Sequence, residues 1–499
     1  MSLAISRLSD LLSGAAIVPL DAVDVDPPIH GVQLDSRRIG EGDLFIALKG
    51  EHLDGERFVS QAVQRGAHAI VAASTRPQSL EPGVAWVRVA EPRCATGPIS
   101  KEFYGRPDEA LTLVGITGTN GKTTVSYMVQ AIAQAAGKRA GRIGTTGYAF
   151  GDLEESLDRT TPEATDLFRI LDIMRREGAE LVAMEVSSHA LSLNRVAATR
   201  FAAAAFLNLT RDHLDYYGSE EDYFEAKARL FDELGPDDHG VIPADSPWGD
   251  LLAKRTRTKL LRFGRSSRAD VRLSDELCRI DGSTAILTGP DGPFQIEIAL
   301  PGSFNLDNAA AAAACAVCLG FGTSAIVAGL SGLSGVPGRV QRIDRGQPFS
   351  VWVDYAHTPD ALKRMLCLAR ELTPGRLLVV FGCGGDRDRG KRAKMGRVVA
   401  EQADISFITS DNPRGEDPQK IVDEVRAGAE QVSGAELRCH VNRRDAIRAA
   451  IEEAVEGDLV VLAGKGHETT QTVLGRVESF DDREVAAEVL DALSGGGHA

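Results

Sequence analysis

Residues 114–124, Val-Gly-Ile-Thr-Gly-Thr-Asn-Gly-Lys-Thr-Thr, have the types and spacing to hold the phosphate tail of a nucleoside triphosphate. Gly115, Gly118 and Gly121 allow a tight loop whose backbone N–H groups converge on phosphate oxygens. Lys122 would bring a point charge to the terminal phosphates, and the Thr123 hydroxyl would reach a magnesium ion. Gly118, Thr119, Asn120, Gly121, Lys122, Thr123 and Thr124 form the expected phosphate-binding set. The usual pattern has glycine at position 116; here Ile116 stands there and Gly115 precedes it. The alternative is a glycine-rich strand-to-helix turn without a ligand.

Two further segments suit a metal. Glu185-Val186-Ser187-Ser188-His189 and Asn208-Leu209-Thr210-Arg211-Asp212-His213-Leu214-Asp215 come at the ends of apolar runs. A carboxylate (Glu185) and an imidazole (His213) at neighbouring strand ends, beside a phosphate loop, suit Mg²⁺ held between protein and phosphates. Either could equally be a satisfied polar strand end.

Three later loops carry recognition chemistry. Gly382–Arg392 crowds Arg387, Arg389, Lys391 and Arg392 at a strand end, which matches carboxylate or phosphate groups. It fits a dinucleotide poorly, since G-x-G-G followed by charge is not G-x-G-x-x-G. In Asp411-Asn412-Pro413-Arg414, Asp411 accepts, Asn412 does both and Arg414 offers a planar fork. Together they could hold a zwitterionic amino acid, ammonium on Asp411 and carboxylate on Arg414. Gly464-Lys465-Gly466-His467-Glu468 is a third loop of this kind. Solvated charged turns and a turn into a helix are the plain alternatives.

The elements that must position these residues fall into three blocks. In the first, roughly 1–108, Gly31–Asp35 and Asp43–Ala47 read as strands and Gln61–Gly66 as the end of a helix. The second opens with the apolar run Leu111–Val114 and a helix marked by Val125, Met128, Val129 and Ile132, with Gly137 as its stop. Ala179–Val186 and Phe201–Leu209 continue it, each ending in polar residues where open α/β sheets keep their ligands. An alanine-rich helix (309–320) closes it, and Ser334–Gly338 reads as a hinge. The third block, about 339–499, alternates strands (Val351–Val353, Leu377–Phe381, Ile405–Thr409, Leu459–Ala463) with helical patterns such as Ala361–Leu372 and Arg443–Ala454. That alternation predicts a second doubly wound parallel sheet.

Bulk properties narrow the class. The 499 residues have a net charge of −15, which argues against a nucleic-acid or anionic-membrane surface. Acidic substrates would then need cations concentrated in a cleft. Seven scattered cysteines fit a reducing cytoplasm better than a disulfide framework. Cys315 and Cys318 form a C-x-x-C inside the alanine-rich run, where helix packing is the expected role. Residues 11–20 are mildly apolar, but Ser13, Gly14 and Pro19 dilute them, and no small-residue cleavage site precedes Asp21. No apolar run reaches the length of a membrane span.

In this order and spacing the motifs resemble the Mur ligases of peptidoglycan synthesis, and within them the branch that adds diaminopimelate. The resemblance covers nearly the whole chain. It rests on Leu34-Asp35-Ser36-Arg37 with Gly42-Asp43-Leu44-Phe45, Gly118–Thr124, Glu185–His189 and Thr210–Asp215. It continues through Leu300-Pro301-Gly302 with Phe304-Asn305, Gly335–Arg339, Asp354-Tyr355-Ala356-His357, Gly382–Lys391, Asp411–Arg414 and Gly464–Glu468.

The resemblance implies an α/β chain of three domains. These are a smaller N-terminal α/β domain for the UDP end of the substrate (1–108), a central P-loop ATPase sheet (109–337), and a C-terminal Rossmann-like doubly wound sheet that brings the amino acid (338–499). It implies that Leu34, Ser36, Glu51, His52 and Leu53 hold the UDP part and that Thr160, Thr161, Ser187 and Arg195 orient the muramoyl-dipeptide. Arg387, Asp411, Asn412, Pro413, Arg414, Gly464 and Glu468 would bind diaminopimelate. ATP would be the co-substrate, with Mg²⁺ on Thr123, Glu185, His213 and Lys227 as its carbamate; Lys122, Lys227, His213 and Glu185 would be the catalytic group. Composition and spacing by themselves make Lys227 an ordinary surface lysine on a helix.

The implied reaction joins meso-2,6-diaminopimelate to the D-glutamyl γ-carboxylate of UDP-N-acetylmuramoyl-L-alanyl-D-glutamate through an acyl phosphate, in the cytoplasm, by a monomer that needs neither nucleic acid nor membrane. His357 is a candidate base on residue type only. Pro243 stands where the family usually has Asn near the adenine, Leu193 where some relatives have a polar substrate contact, and Arg159 where some have Asn. The rival readings are a lysine-adding or folate-polyglutamate-type ligase, a P-loop switch NTPase and a dinucleotide dehydrogenase. Asp411–Arg414 and Leu34–Phe45 speak against the first; the second leaves the C-terminal loops unexplained, and the glycine loop is wrong for the third.

Overall fold

A computed structural model of the chain describes residues 6–50, 53–210 and 212–495. They form two compact units. The first runs to Ser274 and takes in 287–294 and 307–330; the second comprises 275–286, 295–306 and the chain from Ser331 onward.

The first unit contains two main sheets, besides the short antiparallel pair Ser6–Arg7 with Pro28–Ile29. Gly31–Gln33, Asp43–Ile46, Ala69–Ala72 and Ala85–Arg88 pair in that order, all parallel. The larger sheet has a parallel run ordered Ala140–Gly144, Leu181–Glu185, Thr112–Thr117, Ala203–Phe206, His239–Pro243 and Lys259–Gly264. Both sheets contribute to one apolar cluster: Val32, Leu44 and Val87 belong to it together with Leu113, Val182 and Phe206. Residues of the mildly apolar N-terminal stretch help build it. Leu8, Leu11 and Leu12, at i, i+3 and i+4 of the helix Leu8–Gly14, are buried there.

In the second unit Ser350–Asp354, Leu459–Ala463, Leu377–Cys383, Ile405–Ser410 and Glu436–Cys439 form a parallel sheet in that order, with Gln341–Arg342 antiparallel at one edge. Alternate residues of a strand go to different cores. Leu377, Val379 and Phe381 join one cluster, Leu378 and Val380 the other. A sheet covered on both faces needs such unbroken apolar runs, and helices follow its strands as the alternation predicts. Thr358, Asp417 and Asn442 cap the helices Pro359–Leu372, Pro418–Ala429 and Arg443–Glu453 with their side chains.

Ser334–Gly338, read as a hinge, lies in the second unit, just past the Leu330/Ser331 boundary. The Gly338 carbonyl accepts from Tyr355 N at 2.9 Å. A Cβ at Gly338 would fall 2.2 Å from His467 N, so only glycine fits against that loop. Among the described residues no helix is long and apolar enough to cross a membrane.

Candidate active site

The phosphate loop joins the strand Thr112–Thr117 to the helix Lys122–Ala135. Gly121 has φ +90°, and a Cβ there would lie 2.3 Å from Asn308 Oδ1. Thr119 and Asn120 are held from the next strand: Thr119 N donates to Asn208 O (3.0 Å) and Asn120 N to Asn208 Oδ1 (2.9 Å). Lys122 Nζ folds back onto the carbonyls of Gly118 and Thr119, 2.9 Å from each. Thr123 and Thr124 are buried.

Glu185 and His213 flank this loop, but their strands are not neighbours. Thr112–Thr117 lies between Leu181–Glu185 and Ala203–Phe206. Glu185 is buried; its Oε2 accepts from Thr123 Oγ1 at 3.0 Å and from Thr145 Oγ1 at 3.1 Å. Gly144 keeps space open there, since a Cβ would fall 2.1 Å from Glu185 Oε1. His213 is exposed, has φ +53°, and stands edge-on to His189 with ring centroids 4.8 Å apart.

Lys227 is not a surface lysine. It is 1% exposed on the inner face of the helix Glu220–Asp232, with Nζ 3.1 Å from Gly118 O and 4.2 Å from the Tyr223 ring centroid. Single-residue polarity placed it outward, whereas Tyr223, Phe224, Leu230 and Phe231 carry that face of the helix inward and Lys227 goes with them. Loss of hydration on burial, and then the charge of Lys122, push its amine well below the usual lysine range. Two lysines therefore meet at the Gly118 carbonyl, a local cation cluster in a chain of net charge −15.

The second unit gathers the other predicted set. Arg387, Asp411, Asn412, Arg414, Gly464 and Glu468 line one cavity of about 270 Å³ at the C-terminal ends of the parallel strands, with Tyr355, His357, Cys383 and Lys391. Pro413 is buried behind it, its carbonyl accepting from Glu416 N at 3.0 Å. Asn412 Nδ2 donates to Glu468 Oε2 (2.8 Å) and Asp411 Oδ1 (3.1 Å), and the fully buried Lys465 donates to Glu468 Oε2 at 3.1 Å. Arg414 has φ +53°, a conformation that costs a non-glycine residue about 1–3 kcal/mol and tends to occur where function demands it. Its Nη1 donates to Gly385 O at 2.9 Å.

Glu416 clasps these loops together. It accepts from Asp386 N (2.7 Å), Arg389 Nη2 (2.9 Å) and Arg392 Nη2 (2.8 Å). Arg392, the largest cause, holds the carboxyl down at about 2, against an ordinary 4.5. The stability this gives is complete above the unfolded value and is lost as pH falls through about 2. Glu416→Gln is therefore expected to melt below the wild type at neutral pH, with the gap closing on acidification; parallel melting curves down to strong acid would count against it.

Comparison with known proteins places these loops in a family. Residues 28–104, 116–316 and 338–466 match families described as Mur ligase family, catalytic domain; Mur ligase middle domain; and Mur ligase, glutamate ligase domain. The chain is 42% identical over 487 residues to the UDP-N-acetylmuramoyl-L-alanyl-D-glutamate–2,6-diaminopimelate ligase of Solibacter usitatus, across 97% of this chain and 98% of that one. The chain belongs to the Mur ligase family. It is thus an ATP-dependent ligase that forms amide bonds. A protein from Geobacillus kaustophilus with the same name as the Solibacter ligase is 43% identical over 470 residues, covering 92% and 94%. A solved structure of a ligase of that name superposes with TM-score 0.69 at 33% identity, over 98% and 99%.

The remaining residues expected of a Mur ligase fall in two places. Thr160, Thr161, Ser187 and Arg195 gather at the end of Leu181–Glu185. Thr161 Oγ1 donates to Glu185 O (2.9 Å) and accepts from Ser187 N (3.0 Å), Thr160 and Thr145 hydroxyls are 3.1 Å apart, and Arg195 pairs with Glu163 at 2.9 Å. Leu34 and Ser36 follow a strand of the smaller sheet, where Ser36 Oγ donates to Gln61 at 2.6 Å; Leu53 is exposed, and Glu51 and His52 lie outside the described residues. Pro243 ends its strand with its side chain buried, Arg159 reaches Glu163 at 3.1 Å, and the Leu193 carbonyl accepts from Arg93 at 3.1 Å.

Cys315 and Cys318 lie in the helix Ser303–Cys318 as free thiols, and burial pushes Cys315 well up, which fits helix packing. Among the described residues no group of three His, Cys, Asp or Glu side chains could hold a metal. Sequence reasoning missed Thr145, which supports Glu185 by both N–H (2.8 Å) and hydroxyl, and the buried pair Arg443–Asp482. Neither had a local signal: the strand before Thr145, Ala-Gly-Arg-Ile-Gly, is short and broken by Arg142, and Arg443 opens a helix.

Proposed function

We propose that this chain adds meso-2,6-diaminopimelate to the D-glutamyl γ-carboxylate of UDP-N-acetylmuramoyl-L-alanyl-D-glutamate, using ATP, as a cytoplasmic monomer in peptidoglycan precursor synthesis. The observation that carries the acceptor is the single cavity in which Asp411, Asn412 and Arg414 meet Gly464 and Glu468. The names of relatives more than 40% identical over nearly the whole chain support the same reading.

A carboxylate is a poor electrophile because its leaving group would be oxide, and phosphorylation by ATP supplies a better one. The acceptor amine then attacks, and the tetrahedral intermediate collapses with loss of phosphate. Little covalent chemistry falls to the protein, so positioning and charge neutralisation dominate. Residues 118–124 cradle the phosphates, and Lys122 offsets their growing charge. Thr160, Thr161, Ser187 and Arg195 orient the muramoyl-dipeptide. Leu34, Ser36, Glu51, His52 and Leu53 hold its UDP end. The domain roles follow 1–108, 109–337 and 338–499.

The donor set beside the phosphate loop fits a hard divalent cation. It offers a buried carboxylate with space kept open by Gly144, a threonine hydroxyl 3.0 Å away, and an amine, Lys227, whose depressed basicity leaves it able to take up CO₂. Thr123, Glu185, His213 and Lys227 as its carbamate would hold Mg²⁺, which supplies charge neutralisation at the phosphates.

Phosphate release from ATP with the UDP-muramoyl-dipeptide, comparing meso-diaminopimelate, L-lysine and no acceptor, tests the reading. Release with an amide adduct only for diaminopimelate is expected; acceptor-independent release would instead indicate a switch NTPase. Diaminopimelate differs from lysine by a distal carboxylate, and with lysine the half-buried Arg414 would be left without that counter-charge. Arg414→Ala should lose diaminopimelate ligation and keep ATP binding. Unchanged turnover would sink the assignment of Arg414.

A further inference from the structure

We propose that His357 is the general base that removes the proton from the acceptor ammonium before it attacks the acyl phosphate; this rests on the ligase reading above. Its position follows from the strand end before it. Asp354 accepts from Val340 N and Ala356 N, both at 2.8 Å, and Thr358 caps the helix that follows, so the intervening residue has little freedom. His357 Nδ1 lies 2.8 Å from the Tyr355 carbonyl. A carbonyl can only accept, so Nδ1 carries the hydrogen and Nε2 keeps the lone pair.

His357 lines the same cavity as Asp411, Arg414 and Glu468, the groups that would take up a two-headed amino acid. Burial lowers its basicity, the Tyr355 carbonyl and Asp411 raise it, and the charges of Lys391 and Arg339 lower it further. The net shift is downward, which leaves a neutral imidazole at neutral pH. Lys391 Nζ also donates to the His357 carbonyl at 2.9 Å, which fixes the backbone and adds a nearby cation.

The balance of the step is simple. The ammonium gives one proton to Nε2, its freed electron pair forms the C–N bond, and the C–O bond breaks with its pair leaving on phosphate. The second N–H proton goes to the phosphate, and imidazolium returns its proton to water.

Hydroxylamine separates this role from a structural one, because it is already uncharged at neutral pH and needs no base to attack an acyl phosphate. With His357→Gln, kcat for diaminopimelate should fall by about 10²–10⁴-fold, the usual contribution of a positioned base. The KM values should be unchanged, and hydroxamate should form from the UDP-muramoyl-dipeptide, ATP and hydroxylamine at the wild-type rate. The plateau of kcat above the histidine limb should give way to a rate that climbs with pH. Unchanged kcat, a change in KM alone, or equal loss of hydroxamate would overturn the assignment. Failure of the ligase reading would look different: the wild type itself would make no adduct with diaminopimelate.

Discussion

Lys227→Met is expected to abolish turnover while making the folded protein more stable. The side chain is 1% exposed and shares the Gly118 carbonyl with Lys122, so in its charged form it is a desolvated cation beside another cation. Methionine fills a similar volume without that cost. The depressed lysine value sets the sign. Below the folded value the full cost of protonating a buried amine is borne by the wild type, and it fades as pH rises through the ordinary 10.5. In bicarbonate-free buffer the variant's advantage in melting temperature should therefore shrink toward alkaline pH. Its kcat should fall by at least about 10²-fold, the scale of losing one preorganised charge-stabilising group. Wild-type activity should respond to added bicarbonate, and that of the variant should not. A variant that turns over normally would remove Lys227 from the mechanism.

The second large effect concerns a pair distant in sequence. The side chains of Arg443 and Asp482 are 0% exposed and joined by hydrogen bonds of 2.6 and 2.7 Å. The same guanidinium donates to Ser410 O (3.3 Å) and Ala463 O (3.0 Å), the residues just before Asp411 and Gly464. It thus ties two strand ends that present the acceptor cavity. Asp482→Asn leaves the guanidinium without its counter-charge and should cost about 3–5 kcal/mol of stability, read from denaturant midpoints. Replacing both residues by apolar ones, Arg443→Met with Asp482→Leu, should recover most of that stability. It should still raise the KM for the acceptor, because both carbonyls lose their donor and the loops their register. If the double variant bound acceptor normally, the pair would be a stability feature alone.

The phosphate loop was legible because its chemistry is local. Backbone N–H groups, one lysine and one threonine act within seven residues, and an apolar strand and an amphipathic helix mark both sides. The second sheet was legible for a related reason. Its inner strands are buried on both faces and appear as largely apolar runs followed by polar loops, whereas the polar edge strand Glu436–Cys439 gave no such signal. The strands Ala69–Ala72, Ala85–Arg88 and Ala140–Gly144 passed unnoticed, since runs of only four or five residues carry little periodic signal.

By itself, then, the sequence determined the phosphate loop, the alternation of strands and helices, and the three charged loops of the second unit, all properties of contiguous residues. Only the tertiary structure decided that Lys227 is buried against Gly118, 109 positions away, that Thr145 shares Glu185 with Thr123, and that Arg443 spans Ser410 and Ala463. A side chain's charge state and partners depend on what the fold removes from water around it. That is a sum over distant residues, and no local pattern carries it.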